Sequence, residues 1–507
     1  MLDRIFHSSY FKIIIVLTLS TLALNGPLAA ISNGLAIQKN GDNRPILTYN
    51  GKAVLAFGPS PQNLLTYLPK GNGNDFRDWI KWAQKYKINH VRSYPPSMKV
   101  DEPSLNIFKR SAENSDKFDL RLFNNAYFDE LRKACKIFKE HGFIVHLQLW
   151  QAVHWKKAWG RSYYNLKNNV NLDISAHAGP GEFVTMKNKA LLDHQKIYVK
   201  KILDATGDLG NVFYDIMNEI GNGTGKSEKW VWQMINSINE WEVQNGYDVL
   251  ITLNDEGGRR MGDFSLKFPG LDLIVKDFGR YDEHVESQTE YGKPSISVRN
   301  IDYDYEIENR LYFFGKYNLE VNTDASLQTR GRKYWWRMFM AGVQIAGGYA
   351  DAHQEEGMKW FLNRIFNKFG LNPIFKLNYK SSYRVNTDSE TNFSKFRNFV
   401  DKLKYYDTLI PSTNVLSGHP VKNSYILQSN VQAIIYLESP NGRSGYNYKK
   451  QLANFKNLSL SDGNYNGQFY FPENGRTEDF SIQIIANKGR ISLPNFGDDL
   501  AIFISKN

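Results

Sequence analysis

The chain has 507 residues, 42% of them apolar, which is too long for one ordinary domain and apolar enough to exclude disorder as its general state. Its formal charge of +11 comes from scattered lysines and arginines with no long basic run, which argues against nucleic-acid binding and fits a solvated surface or an acidic glycan partner. A single cysteine, Cys135, excludes intrachain disulfides and any CxxC metal site; its place in a helical apolar pattern predicts a buried small side chain.

Residues 1–30 read as an export signal. Arg4 and Lys12 flank the apolar run Ile13–Leu24, and Ala29-Ala30 offers a cleavage site. The run is short for a membrane span, although an uncleaved anchor is the alternative localisation to a secreted or periplasmic chain. No other segment reads as transmembrane.

Strand-like and helix-like stretches then alternate. Pro45–Tyr49 and Lys52–Phe57 flank Asn50-Gly51, a hairpin turn signal. A helix follows with Phe76, Trp79, Ile80, Ala83 and Tyr86 on one face. Next come strand Asn89–Tyr94, helix Ala126–His141, strand Phe143–Trp150 and helix Lys187–Thr206. Strand Asn211–Met217, helix Ser227–Glu242 and strands Asp248–Leu253, Leu271–Lys276 and Pro294–Val298 continue the pattern. A helix at Thr329–Ile345, a short apolar piece at Gly347–Ala350 and a helix at Phe393–Thr408 complete it. About eight strand–helix units predict an α/β fold, a (β/α)8 TIM barrel over residues 31–410. After Pro411 short alternating runs, Tyr425–Gln428, Val431–Leu437, Gln468–Phe471, Phe480–Ile485 and Leu500–Ile504, predict a small all-β sandwich over 411–507.

The segment Val212–Gly223, VFYDIMNEIGNG, carries the most chemistry. An apolar strand ends in Asn218-Glu219 and enters a Gly/Asn loop, as a barrel strand does when it delivers a carboxylate to the catalytic mouth. Glycosidic cleavage uses two carboxyl groups, one to protonate the leaving oxygen and one to attack carbon or activate water. Glu219 is the first candidate, and Asn218 is placed to meet a sugar hydroxyl. The plainer alternative is a capping Asn followed by a solvent-facing Glu.

Phe118–Trp150 and Val212–Gly223 resemble the middle of a clan A, cellulase-like glycoside hydrolase barrel, and more narrowly the apiosidase-like barrels. The resemblance implies that Glu219 is the acid/base. It likens Arg92, in Val91-Arg92-Ser93-Tyr94, to the second-strand arginine that supports the nucleophile. It also implies that Tyr470–Gly475, Leu493-Pro494 and Gly497–Leu500 belong to a sandwich resembling a collagen-binding module. It extends over most of residues 40–507 as scattered motifs.

The second carboxyl departs from the clan's pattern. Lys293-Pro294 leads to Arg299 where the clan has Glu, and the next acid is Asp302. Asp302 and Glu306 reproduce the apiosidase-like spacing if the strand end is lengthened. Asp302 is therefore expected as nucleophile or base, with Asp304, Glu306 and Glu320 as alternatives. Arg299 is expected to bind a substrate carboxylate or to keep Asp302 ionised.

Further substrate contacts are expected from Asp351 and His353 at the eighth strand end, and from Trp150, His154 and Trp155. The same loop adds Trp159, Tyr163 and Tyr164 with Lys156, Lys157 and Arg161, and the alternative for all of these aromatics is packing within the loop. Asn254, Asp255 and Glu256 end the fifth strand. His146 and His154 lack zinc spacing such as HExxH, so neither metal nor cofactor is expected. The sequence predicts a secreted glycoside hydrolase with a carbohydrate substrate. A non-catalytic carbohydrate-binding barrel, a polysaccharide lyase and an adhesin acting through its sandwich are the alternatives.

Overall fold

The computed structural model describes residues 34–40, 44–59, 76–93, 105–151, 159–220, 228–254, 268–276, 293–297, 324–348, 387–404, 406–412, 416–419, 421, 423–439 and 445–506. Strand β1 (Leu35–Lys39) pairs antiparallel with β2 (Pro45–Tyr49), which turns back into β3 (Lys52–Ala53). Asn50 and Gly51 take φ of 52° and 72°. Positive values at both central residues give the tight hairpin turn whose twist suits the strands.

The main sheet takes β4 (Ala56–Pro59), β5 (His90–Ser93), β8 (Ile144–Gln148), β9 (Val212–Asp215), β10 (Ile251–Leu253), β11 (Leu273–Lys276), β12 (Ser295–Ser297) and β13 (Ile345–Gly348). Between β5 and β8 lies the antiparallel hairpin of β6 (Phe108–Arg110) and β7 (Phe118–Phe123). Strand order in the eight-stranded sheet is β4-β13-β12-β11-β10-β9-β8-β5, with every pairing parallel. The two end strands meet at Asn89. Its backbone N–H donates to Phe57 O (3.3 Å), its Oδ1 accepts from Phe57 N (3.0 Å) and its Nδ2 donates to Leu55 O (2.9 Å).

Helices α1 (Phe76–Lys85), α2 (Asn125–Glu140), α3 (Pro180–Phe183), α4 (Lys189–Thr206), α5 (Glu228–Asn245), α6 (Asp324–Met340) and α7 (Thr387–Val400) accompany these strands. In α2 the stripe Tyr127, Phe128, Leu131, Ala134, Cys135 and Phe138 is buried, at the spacing that puts apolar residues on one face. Burial pushes the Cys135 thiol up to about 12, as expected of an inert core cysteine. Helix α4 starts at Asn188, whose Oδ1 accepts from Leu191 N (3.1 Å).

Helix α6 stops five residues short of the expected end at Ile345. Gly342 adopts φ of 75° and donates its N–H to Phe339 O (2.9 Å), while Val343 N donates to Met338 O (3.0 Å). That left-handed turn closes the helix and frees Ile345 to begin β13.

Inside the sheet, Ala56, Ile144, Phe213, Leu273, Val275 and Ile345 cluster with Leu35 and Leu47 of the N-terminal hairpin. The hairpin is tied to the strand starts through Leu35 N–H to Gly210 O (2.7 Å) and Leu47 N–H to Gln344 Oε1 (2.7 Å). The end of the sheet at which the strands begin is therefore filled with apolar side chains.

The C-terminal region adds β14 (Ile410–Ser412), β15 (Leu416–Ser417), β16 (Asn423–Gln428), β17 (Gln432–Glu438), β18 (Gln451–Phe455), β19 (Gly463–Tyr470), β20 (Thr477–Ile484), β21 (Gly489–Leu493) and β22 (Asp499–Ser505). They form an antiparallel six-stranded sheet, β14-β16-β17-β22-β19-β20, and a three-stranded one, β15-β18-β21. Alternate residues such as Ile435, Leu437, Ile482, Leu493, Ile502 and Ile504 share one core. Helix α6 is stapled to this region. Arg332 donates to both carboxylate oxygens of Asp499 (2.9 and 2.8 Å), Arg337 Nε to Glu438 (2.8 Å) and Lys333 Nζ to Ser439 Oγ (2.6 Å). The Trp336 ring lies flat on Tyr436, so the helix layer and the six-stranded sheet share a continuous core.

Candidate active site at the strand ends

The site is built by alternation along β8 and β9. Tyr214 points to the helices, its hydroxyl 2.8 Å from Thr206 Oγ1 on α4, so Phe213 and Asp215 face the interior. His146 and Gln148 face the same way from β8. His146 stacks on Phe213, with its Nε2 3.4 Å from Asp215 Oδ2, and Gln148 Nε2 donates to that oxygen (3.3 Å). Asp215 Oδ1 accepts from the Asn254 backbone N–H (3.1 Å), and Arg92 Nη2 lies 4.0 Å from Oδ2. Thus the apolar interior gives way to a buried polar layer toward the C-terminal ends of the strands.

Asn218 is the hub of that layer. Its Oδ1 accepts from Arg92 Nη2 and from Asn254 Nδ2, each at 2.6 Å, and its Nδ2 donates to Gln151 Oε1. One side chain therefore links the ends of β5, β8, β9 and β10. Arg92, Asn218 and Asn254 are all buried. Burial of polar groups is tolerated only when they are hydrogen-bonded in this way. Beneath them His90 sits wholly buried between His146 and Gly347. Burial, with the neighbouring His146 and Arg92, holds its pKa well below the usual histidine value, so it is neutral.

Glu219 follows directly, 2% exposed and with φ of 54°. A side chain other than glycine in the left-handed region costs on the order of 1 kcal/mol and persists only where its surroundings fix it. Here both flanking amides are held: Asn218 N–H donates to Trp150 O (2.9 Å) and Ile220 N–H to Asn254 O (3.1 Å). The Asn-Glu pair is therefore clamped between the neighbouring strand ends, and the plainer alternative of a capping Asn and a solvent-facing Glu does not hold.

Of the residues singled out in the sequence, Arg92, Asn218, Glu219 and Asn254 come together. The Trp150 indole does not join them, although its carbonyl does. Strand β8 ends at Gln148 and the chain bends at Leu149, so the alternation that turns His146 and Gln148 inward does not reach Trp150. Its indole packs in the helix layer against Phe183, Tyr198 and Trp230 at 5.4–5.8 Å and is fully buried, which removes it from the sugar-facing residues. Tyr163 and Tyr164 are likewise wall-forming. Tyr163 meets Phe118 edge-on and donates its hydroxyl to Asn106, while Tyr164 packs on Phe183. His154, Trp155, Asp255, Glu256, Arg299, Asp302, Asp304, Glu306, Glu320, Asp351 and His353 lie outside the described residues. Asp215, Gln148, His146 and Gln151 were not anticipated as neighbours of the site; for His146, Gln148 and Asp215 the signal is polar residues at inward-facing positions of otherwise apolar strands, while Gln151 lies beyond the end of its strand.

No protein-family model and no curated protein matches the chain. Among solved structures it is similar to one described as a glycoside hydrolase, at 13% identity and a TM-score of 0.58, covering 94% of this chain and 97% of that one. It is also similar to a glycoside hydrolase family 5 protein from Bacteroides vulgatus, at 13% identity and a TM-score of 0.55, covering 93% and 92%. The likeness is one of fold: the chain has the TIM-barrel-like architecture of glycoside hydrolases, followed by an all-β region. Among the described residues no helix is long and apolar enough to cross a membrane.

Proposed function

We propose that this chain is an exported glycoside hydrolase that uses Glu219 as general acid. The supporting observation is the buried Asn218-Glu219 pair at the C-terminal end of the fourth sheet strand, with Asn218 bonded by Arg92 and Asn254. That end of a parallel barrel is where such folds carry their chemistry. In this reading the eight strands close into a (β/α)8 barrel at Asn89, spanning residues 31–410, with 411–507 as a β-sandwich behind it. The substrate is a poly- or oligosaccharide.

Glu219 donates its proton to the leaving glycosidic oxygen. Asn218 has its carbonyl occupied by Arg92 and Asn254 and one amide hydrogen by Gln151. Its remaining N–H is the donor for a sugar hydroxyl. Arg92 acts as a positioning residue through Asn218. Asp302 supplies the second carboxyl, as nucleophile or base. A carboxyl separation of about 5–5.5 Å makes the enzyme retaining and about 6.5–9.5 Å makes it inverting. Arg299, His154, Trp155, Asp351 and His353 complete the substrate contacts.

The test is release of new reducing ends from a panel of neutral and acidic plant and microbial glycans, with Asp302→Asn alongside. Loss of release in Asp302→Asn supports the carboxyl pair. Retained release moves the second role to Asp304, Glu306 or Glu320. Ultraviolet-absorbing unsaturated products identify a lyase instead. Binding without release identifies a non-catalytic barrel.

A further inference from the structure

We infer that the outer face of the six-stranded sheet carries a second, non-catalytic binding site for a neutral glycan. A recess of about 560 Å³ lies on that face, within the roughly 300–1,000 Å³ of small-molecule sites. Its floor is set by strand register. Ser481, Asn466 and Ser505 are cross-strand neighbours in one row over β20, β19 and β22; Asp479, Gln468 and Phe503 form the next row. Cross-strand partners share a face. Neighbouring strands lie about 4.8 Å apart and same-face residues along a strand about 7 Å apart, so the six side chains tile a patch of roughly 10 by 7 Å.

The chemistry of that patch is specific. Amide, hydroxyl and carboxylate groups lie beside the rings of Phe503 and Phe480, and among the described residues neither lysine nor arginine lines the recess. Gln468 Nε2 donates to Asp479 Oδ1 (2.8 Å), which orients both groups and leaves acceptor oxygens for paired hydroxyls. Half-buried Phe503 adds an apolar ring for the C–H side of a sugar, and it meets Phe399 of α7 in a T-shaped pair with centroids 6.4 Å apart. Polar acceptors without cations suit a neutral polyol and disfavour an acidic one. The barrel side explains why the recess stays open. In the next row along the sheet Tyr470 is covered by Phe399 and donates its hydroxyl to Lys395 O (2.9 Å), and the recess begins just past that cover.

The inference shares with the proposed function only the premise that glycans are this chain's ligands. It is tested by affinity electrophoresis of full-length Glu219→Gln protein in gels containing galactomannan, xyloglucan, laminarin or polygalacturonate. Retardation by at least one neutral glycan is expected. Adding Gln468→Ala and Asp479→Ala is expected to weaken it about tenfold, the scale of hydrogen bonds to a charged group. Both positions lie outside the sandwich core, so the urea midpoint should stay unchanged. Equal retardation in the triple variant, or retardation in none of the neutral glycans, overturns the proposal. Reducing-end release by the wild type with retardation insensitive to these residues leaves the hydrolase standing and removes the recess. Recess-dependent retardation without any hydrolysis does the reverse.

Discussion

Two of the buried carboxylate clusters among the described residues differ in a way that separates joinery from chemistry. Where α6 meets the C-terminal sheet, Asp499 accepts a bidentate pair from Arg332 and a hydroxyl from Tyr436 (2.8 Å). Glu438 accepts from Arg337, Tyr425 and Asn423. Both acids sit on regular strands. Around Asn218 the arrangement is inverted. Arg92 gives its short bond to a neutral amide and stands 4.0 Å from Asp215, whose direct donors are amides. The next residue, Glu219, is held in a strained conformation. One cluster neutralises its charges on relaxed backbone; the other holds a carboxylate in place at conformational cost.

That contrast predicts opposite responses. Asp499→Ala strands Arg332 in a buried site and should cost about 3–5 kcal/mol in urea unfolding, with activity per folded molecule unchanged. Loss of activity without loss of stability would erase the distinction.

The packing of α4 on the β6–β7 hairpin depends on a neutral histidine. His194 stacks on Phe123, its Nε2 lies 2.7 Å from Leu120 O, and burial lowers its pKa to about 4. The folded state resists a proton that the unfolded state accepts. Stability is therefore full above about pH 6.5 and falls as pH drops toward 4, by up to about 3 kcal/mol from this residue. His194→Gln should flatten that slope in pH-dependent unfolding; an unchanged slope would place its origin elsewhere.

Asn218→Ala removes the hub while leaving the Asn218 backbone bond to Trp150. It should lower kcat/KM about a hundredfold, mostly in kcat, because it misplaces the acid rather than removing it. A change confined to KM would make Asn218 a simple binding residue. The smallest effect on stability concerns the strained backbone at Glu219. Glu219→Gly should abolish activity yet gain about 1 kcal/mol of stability, since glycine adopts the left-handed backbone without strain. A loss of stability would mean that the Glu219 side chain, like Asp499, holds the fold together.

Much of this was legible in the sequence. Alternating patterns located the strands of the main sheet, and Asn50-Gly51 announced the hairpin of the N-terminal three-stranded sheet. Strands such as β1, β18 and β21 were missed because segments such as Leu35–Lys39 show no strict alternation, and β18 and β21 pair with each other across a long stretch of sequence. Helix α6 was read too long because its periodicity runs through Gly342, where only a left-handed turn stops it. Asn218-Glu219 stood out as polar residues closing an apolar strand. The ring of partners around them did not, because it depends on which side chains alternate inward on neighbouring strands. Trp150 was misplaced for the same reason: one bend at Leu149 reversed its side.

The most direct measurement is the rate of reducing-end release by Glu219→Gln, normalised to folded protein, on a glycan the wild type cleaves. Loss of the general acid should lower it by about 10²–10⁴ while the urea midpoint stays within error or rises. A rate near wild type would contradict the assignment of Glu219, and a collapse in stability would return the residue to the class of Asp499.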